Sequence, residues 1–310
     1  MAKKIGFIGL GAMGLGMAQS LRTAGFEVHV FDVRDGVAQA FAQDGGVACT
    51  SLAQLGAACE VVVCAVVNAT QTESVLFGDG TADGKAKGCA AHMPPGSVFV
   101  MCSTVDPNWS AALEGRLEAL GLLYLDAPMS GGAAKAAQGE ITLMTAGRPA
   151  VYALCDDVLN AMASTVYKLG DRAGAGSKVK IINQLLAGVH IAVAAEAMAL
   201  GLREGVDAAA LYEVITHSAG NSWMFENRLP AVIHNDYTAT SAVDIFVKDL
   251  GLVADMARAS KFPLPLASTA LQMFMQASTA GFAREQDIAI IKTFPGITLP
   301  AGKTAKPGNE

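Results

Sequence analysis

The residues best suited to chemistry begin with Gly9-x-Gly11-x-x-Gly14, followed by Asp32. Glycines at this spacing suit a dinucleotide diphosphate. Gly9 permits a tight turn, Gly11 lets a pyrophosphate approach the backbone, and Gly14 lets the following helix pack close to its strand. The N–H groups at the helix start, at Ala12 and Met13, and the helix dipole favour an anion. Asp32, about 20 positions on, can accept hydrogen bonds from the hydroxyls of an adenosine ribose. A carboxylate there disfavours a 2′-phosphate, so NAD is expected over NADP, while Arg34, two positions later, works in the opposite sense. A second set is Ser130-Gly131-Gly132. A backbone turn beside a serine hydroxyl can hold a carboxylate; an ordinary flexible loop has the same composition. A third set opens a long apolar stretch: Lys178, Lys180, Asn183 and Gln184. Lys180 shares one helix face with Asn183 and Gln184. Most lysines sit on solvated faces, but one desolvated against an apolar helix has a lowered pKa and suits proton transfer near neutral pH.

The elements that must carry these residues are legible in the hydrophobic pattern. Strands are expected over 3–8, 26–31, 60–66, 97–102 and 122–126, with helices over 12–24, 37–43 and 107–120 and a short one capped by Ser51. This alternation implies a doubly wound, mostly parallel α/β sheet with helices on both faces. Such folds bind ligands at the carboxyl edge of the sheet, where Ser130-Gly131-Gly132 falls. Further strands are expected over 141–146 and 166–169, separated by a helix over 149–163. From Gly174 the pattern turns helical: a long helix over 177–202, then helices over 208–217, 222–229, 242–260, 266–277 and 284–292. The organisation expected is therefore a nucleotide-binding domain over 1–173, an all-helical domain over 174–300 joined by the long helix, and a disordered tail over 301–310. The loop between Gly78 and Gly88 is superficially similar to a calcium loop. It lacks the ligand spacing and terminal Glu, and reads as a solvated loop.

Composition narrows the classes. The 310 residues are 52% hydrophobic and 16% charged, enough for a large core, and the low charge suggests apolar surface buried between subunits. A net charge of −6 gives no reason to expect nucleic acid. Six cysteines, none in a CxxC, and no visible signal peptide suggest reduced, buried thiols and a cytoplasmic setting. The five histidines show no paired ligand spacing, so no metal is expected. The apolar stretch 185–202 is long enough to span a membrane, but its His190 and Glu196 favour a buried helix.

Four blocks resemble the β-hydroxyacid dehydrogenases, a family that includes 3-hydroxyisobutyrate dehydrogenase and tartronate semialdehyde reductase. They are Phe7 to Gly14, Asp126 to Gly132, Gly174 to Gln184 and Phe246-Val247-Lys248-Asp249. The resemblance covers nearly the whole chain and implies a Rossmann domain, a long linking helix and a helical domain that dimerises. It implies that Lys180 is the general acid/base and that Asn183 holds it and the substrate. It further implies that Ser130, Gly131 and Gly132 bind the substrate carboxylate and that Thr104 and Lys248 contact the cofactor. Gln184 stands where several relatives have a second Asn, and is carried as a substrate contact. The stretches 219–228 and 241–251 look most like the branch acting on four-carbon sugar acids such as L-threonate, with Asn221, Ser222 and Arg228 as further donors and acceptors. The implied reaction is hydride transfer from the small hydroxyacid to NAD in a homodimer or homotetramer. A semialdehyde reductase acting on tartronate semialdehyde uses the same site in reverse. A non-catalytic nucleotide-binding module is the alternative of another class, and the presence of Lys180 counts against it.

Overall fold

In the computed structural model of the chain, residues 2–78 and 88–302 are described. The solvated loop expected between Gly78 and Gly88, and all but the first two residues of the tail expected over 301–310, lie outside them. The chain divides into two compact units, Met1–Lys180 and Ile181–Glu310.

The first unit is built on β1 (Lys4–Ile8), β2 (Glu27–Phe31), β3 (Val47–Ala48), β4 (Val61–Cys64), β5 (Val98–Met101) and β6 (Leu123–Asp126). These form one parallel sheet in the order β3-β2-β1-β4-β5-β6, the doubly wound order that reverses direction beside β1. The connecting helices are α1 (Gly14–Thr23), α2 (Val37–Gln43), α3 (Leu52–Ala58), α4 (Ala69–Phe77) and α5 (Pro107–Glu118). Side chains alternate along each strand, so the sheet feeds two cores. Phe7, Val63 and Val100 pack with Met17 and Leu21 on one face, and Ile8, Val62 and Phe99 pack with Leu55 and Leu113 on the other. The helix starts are chemically explicit: Ser51 accepts from the Gln54 amide, Asn68 from Gln71, and Asp106 from Asn108 and Trp109.

The chain then adds β7 (Met129–Ser130), α6 (Gly132–Ala137), β8 (Ile141–Thr145), α7 (Pro149–Met162) and β9 (Ala163–Lys168). The strands expected near 141 and 166 do not extend the main sheet. They form a three-stranded sheet of their own, in which β7 runs antiparallel to β8. The antiparallel bridge between Asp126 and Ala146 turns the chain away from the β6 edge.

The α8 helix (Ala175–Arg203) begins in the first unit and crosses the division. The second unit comprises the rest of α8 with α9 (Ala208–Thr216), α10 (Trp223–His234), α11 (Val243–Ser260) and α12 (Pro265–Ala277). Ile191, Met198, Leu229, Phe246 and Phe274 are among its core residues. Two expectations change here. The α10 helix continues through Pro230 instead of ending at Leu229. A proline leaves the carbonyl four residues back without its helical donor, and the Tyr212 hydroxyl donates to that carbonyl, Glu226 O, at 3.1 Å. The segment expected as a helix over 284–292 is a 3₁₀ stretch, Asp287–Thr293, whose first five residues are all buried. It runs inside the core, where a one-faced α-helix has no advantage.

Candidate functional site

The β1–α1 turn is shaped by close backbone approach. Gly9 adopts φ 92° and donates its amide to Phe31 O at 3.0 Å, tying the turn to the end of β2. A Cβ on Gly14 would lie 1.9 Å from the Gly9 carbonyl oxygen and 3.1 Å from the Phe7 ring. Gly14 therefore serves the turn itself first and helix–strand packing second. A Cβ on Gly11 meets no atom within 4 Å, so the backbone there is open to approach. The first turn of α1, reached through Ala12 and Met13, has neither a side-chain cap nor an acidic residue. These are the conditions for a helix N-terminus to receive a diphosphate.

Asp32 closes this arrangement from β2. Its Oδ2 accepts the Leu10 amide at 2.7 Å, and its Oδ1 accepts the Arg34 amide at 2.9 Å. The Arg34 guanidinium adds a bond to each oxygen, at 2.9 and 3.0 Å. Burial works against the charge, but the Arg34 side chain and the Arg34 and Leu10 amides outweigh it and hold the carboxyl at about 2. Asp32 is thus an ionised acceptor at the end of the second strand.

The Ser130-Gly131-Gly132 turn is ordered by a helix. Gly131, between β7 and α6, and Gly132, the first residue of α6, take φ 136° and 79°. The α6 helix is held against α1, where a Cβ on Gly16 would come within 2.5 Å of the Ala137 amide and Ser20 Oγ donates to Ala136 O. Thr104 is half-buried beyond the end of β5. Ser103 beside it is fixed by a bond to Val66 O at 2.7 Å, which joins the carboxyl ends of β4 and β5.

Lys180 is 7% exposed, whereas Lys178 is exposed on the same helix. The start of α8 is held by Asp126 at the end of β6. Its Oδ2 accepts the Gly174 and Ser177 amides at 2.8 and 2.9 Å, and its Oδ1 accepts the Ser177 hydroxyl at 2.6 Å. Burial pushes the Asp126 carboxyl up, against the opposing bonds from Ser177 and Gly174. Gly176 is required by this contact: its Cβ would lie 2.2 Å from Met144 O. Asp126, Ser177 and Gly176 stand within the sequence blocks, but nothing in their spacing announces that a strand-end carboxylate caps a helix about fifty residues later.

In the second unit, Asn183, Gln184 and Lys248 are brought together by Asp249, which sequence reasoning passed over. Asn183 Nδ2 donates to Gln184 Oε1 at 3.0 Å, and Gln184 Nε2 donates to Asp249 Oδ2 at 2.5 Å. Lys248 Nζ pairs with Asp249 Oδ1 at 2.5 Å. Both ends of the Gln184 amide are engaged within the protein. Arg228, expected as a substrate donor, is buried and paired with the buried Asp287 at 2.8 Å. Ser222 caps α10 by accepting the Phe225 amide. The six thiols are free and buried, and burial pushes Cys59, Cys64 and Cys155 up to about 12, so they are packing groups. Among the described residues no group of three or more His, Cys, Asp or Glu side chains is arranged to hold a metal ion.

Residues 4–170 match the NAD binding domain of 6-phosphogluconate dehydrogenase, and residues 174–294 match the NAD-binding domain of NADP-dependent 3-hydroxyisobutyrate dehydrogenase. The chain is 64% identical to L-threonate dehydrogenase of Cupriavidus necator, over 97% of this chain and 99% of that one. The chain belongs to the β-hydroxyacid dehydrogenase family. This dehydrogenase is also 48% identical to L-threonate dehydrogenase of Escherichia coli, over 97% of each chain. A solved structure of 3-hydroxyisobutyrate dehydrogenase from Salmonella typhimurium is 49% identical, with a TM-score of 0.89 over 94% of this chain and 100% of that one. The dehydrogenase is an oxidoreductase that uses NAD.

Proposed function

We propose that this dehydrogenase oxidises a four-carbon sugar acid, L-threonate, at the hydroxyl beside its carboxylate to give the 2-oxo acid. The observation that carries the substrate is the 64% identity, along nearly the whole chain, to the Cupriavidus necator protein of that name. NAD, when held by the glycine turn and Asp32, would supply the hydride acceptor. Lys180, as the neutral amine, takes the hydroxyl proton, and in reverse its ammonium protonates the carbonyl. Its burial on α8 supports that role, because it sets this amine apart from solvent while Lys178 on the same helix is exposed. Asn183, one turn along the same helix, holds Lys180 and the substrate hydroxyl. Ser130, Gly131 and Gly132 receive the carboxylate. Gly9, Gly11, Ala12, Met13, Gly14 and Asp32 bind the cofactor, and Thr104 and Lys248 contact it. Gln184 acts on substrate through Asn183, which its side chain engages. On this reading residues 1–173 form the cofactor domain and 174–300 the substrate and oligomerisation domain. The six buried free thiols suit a reducing compartment, which supports a cytoplasmic setting.

The same reading makes the protein a homo-oligomer. Ile182, Leu186, Val193 and Leu200 are each more than half exposed and fall on one side of α8. An apolar groove of about 230 Å³, lined by His190, Val193, Leu211 and Phe225 among others, adjoins the stripe. A second copy is the natural cover for such a face.

The test is a screen of C3 and C4 hydroxyacids with NAD and NADP, following absorbance of the reduced nicotinamide. L-threonate with NAD should give the highest kcat/KM. A higher value for 3-hydroxyisobutyrate, or for tartronate semialdehyde with NADH, assigns the site to another branch of the family.

A further inference from the structure

We propose that Arg34 sets the cofactor affinity and preference of this site by acting as an internal ligand of the Asp32 carboxylate. The inference rests on the assignment of the glycine turn and Asp32 to the cofactor. An ionised carboxylate offers about four lone-pair directions. Those of Asp32 are all taken: the Leu10 amide and Arg34 Nη2 on Oδ2, and the Arg34 amide and Nε on Oδ1. The two amides are part of the backbone turn and hold the carboxylate in place. The other two donors come from the guanidinium fork, whose paired N–H groups match a carboxylate. A vicinal ribose diol brings two O–H donors and needs two acceptor positions of the same carboxylate. Arg34 and the ribose therefore compete.

Exposure indicates which partner yields. The Asp32 side chain is 6% exposed and the Arg34 side chain 57%. Rotation of Arg34 into solvent frees the carboxylate without moving the strand or the turn. Arg34 Nη2 also donates to Leu10 O at 3.0 Å, so the fork spans from the end of β2 to the glycine turn. The consequences differ for the two cofactors. For NAD, the binding-competent state is the one with the fork released, and the apparent affinity falls by the fraction of time spent there. For NADP, the 2′-phosphate has no proton to give a carboxylate. A guanidinium kept on Asp32 cancels its charge, and its Nη1 carries two further N–H donors for the phosphate. Arg34 thus weakens NAD and supports NADP, and an NAD-using site built this way keeps a measurable affinity for NADP.

Isothermal titration of the full chain tests this with NAD, NADP and the fragments 5′-AMP and 2′,5′-ADP, on wild type, Arg34→Ala and Arg34→Lys. A partly exposed ion pair is worth about 1 kcal/mol, so Arg34→Ala should bind NAD and 5′-AMP about three- to ten-fold tighter. The same variant should bind NADP and 2′,5′-ADP more weakly than wild type. Arg34→Lys keeps the charge and loses the fork; it should tighten 5′-AMP while retaining most of the affinity for 2′,5′-ADP. Unchanged or weaker binding of NAD and 5′-AMP by a folded Arg34→Ala overturns the proposal. Failure of folded wild type to bind either NAD or 5′-AMP overturns instead the assignment of the cofactor site on which it rests.

Discussion

Lys178 and Lys180 lie two positions apart on α8, and only the second is buried. The offset of about 200° around the helix separates them, so one serves as the control for the other. Lys180→Ala should lower kcat by ~10²–10⁴-fold, the usual cost of losing general acid–base catalysis, with NADH binding by fluorescence nearly unchanged. Lys180→Arg should stay inactive because a guanidinium does not accept the proton, and Lys178→Ala should keep most activity. Near-wild-type turnover in Lys180→Ala would move the proton-transfer role elsewhere. The Ser130-Gly131-Gly132 turn, proposed to receive the carboxylate, needs a gentler probe than a bulky residue at Gly131, where φ is 136° and a Cβ would crowd Lys135 at 3.2 Å. Ser130→Ala leaves that backbone intact; it should raise KM for the acid while NAD affinity holds. Asp32 carries a pH prediction. Its carboxyl lies at about 2 against an ordinary 3.8, so its bonds stabilise the fold above about pH 4 and are lost as pH falls towards 2. With the exposed Arg34 partner screened, the contribution is about 1–2 kcal/mol. The stability gap between wild type and Asp32→Asn, from urea melts, should narrow over that interval. The glycine turn, Asp32 and Lys180 were legible as residue types at a spacing. The pairing of Asp32 with Arg34 was not, because two charges two positions apart can equally well point away from each other into solvent.

The sheet and most helices follow from periodicity and caps, and what escaped the sequence was short or long-range. The α4 helix has a weak sequence signal, although Asn68 caps it, because only Thr72, Val75 and Leu76 are buried in it. The two-residue strands β3 and β7 are too short for any alternation to register. The Asp126 cap on α8 joins residues distant in the chain and leaves no periodic trace, yet it fixes the start of the helix that carries Lys180. Asp126→Ala leaves the Gly174 amide, the Ser177 amide and the Ser177 hydroxyl without this acceptor in a buried setting. Each unmet donor costs about 1–3 kcal/mol, with partial relief from water, so a loss of about 3 kcal/mol is expected. Calorimetry should record the drop in Tm. Because the perturbed element is the first turn of α8, kcat should fall more than NAD affinity. A variant with wild-type Tm and kcat would show that the helix start is held by other contacts.

The proposed homo-oligomer is a property of the whole molecule, and it rests on an apolar face that a single chain leaves uncovered. The sequence showed α8 as uniformly apolar, a pattern compatible with a core helix or a membrane span. It is the one helix among the described residues long and apolar enough to cross a membrane. Folding resolves that uniformity into two faces: Ile191, Ala195 and Met198 are in the core, while Ile182, Leu186, Val193 and Leu200 are 53–61% exposed. A period of seven residues keeps Leu186, Val193 and Leu200 within a narrow stripe, since seven residues close to within about 20° of two full turns. A stripe of this kind buries against a matching stripe, and a two-fold axis supplies one from an identical helix. A charge at its centre tests the arrangement. Val193→Asp leaves the fold of one chain unchanged, because that side chain already faces solvent, but places an unpaired carboxylate in any interface formed there. Burying such a charge costs several kcal/mol, so the variant should sediment as a monomer at micromolar concentration where wild type sediments as a dimer or tetramer. Wild type at the monomer mass, or Val193→Asp at the wild-type oligomer mass, would remove this face of α8 from the assembly.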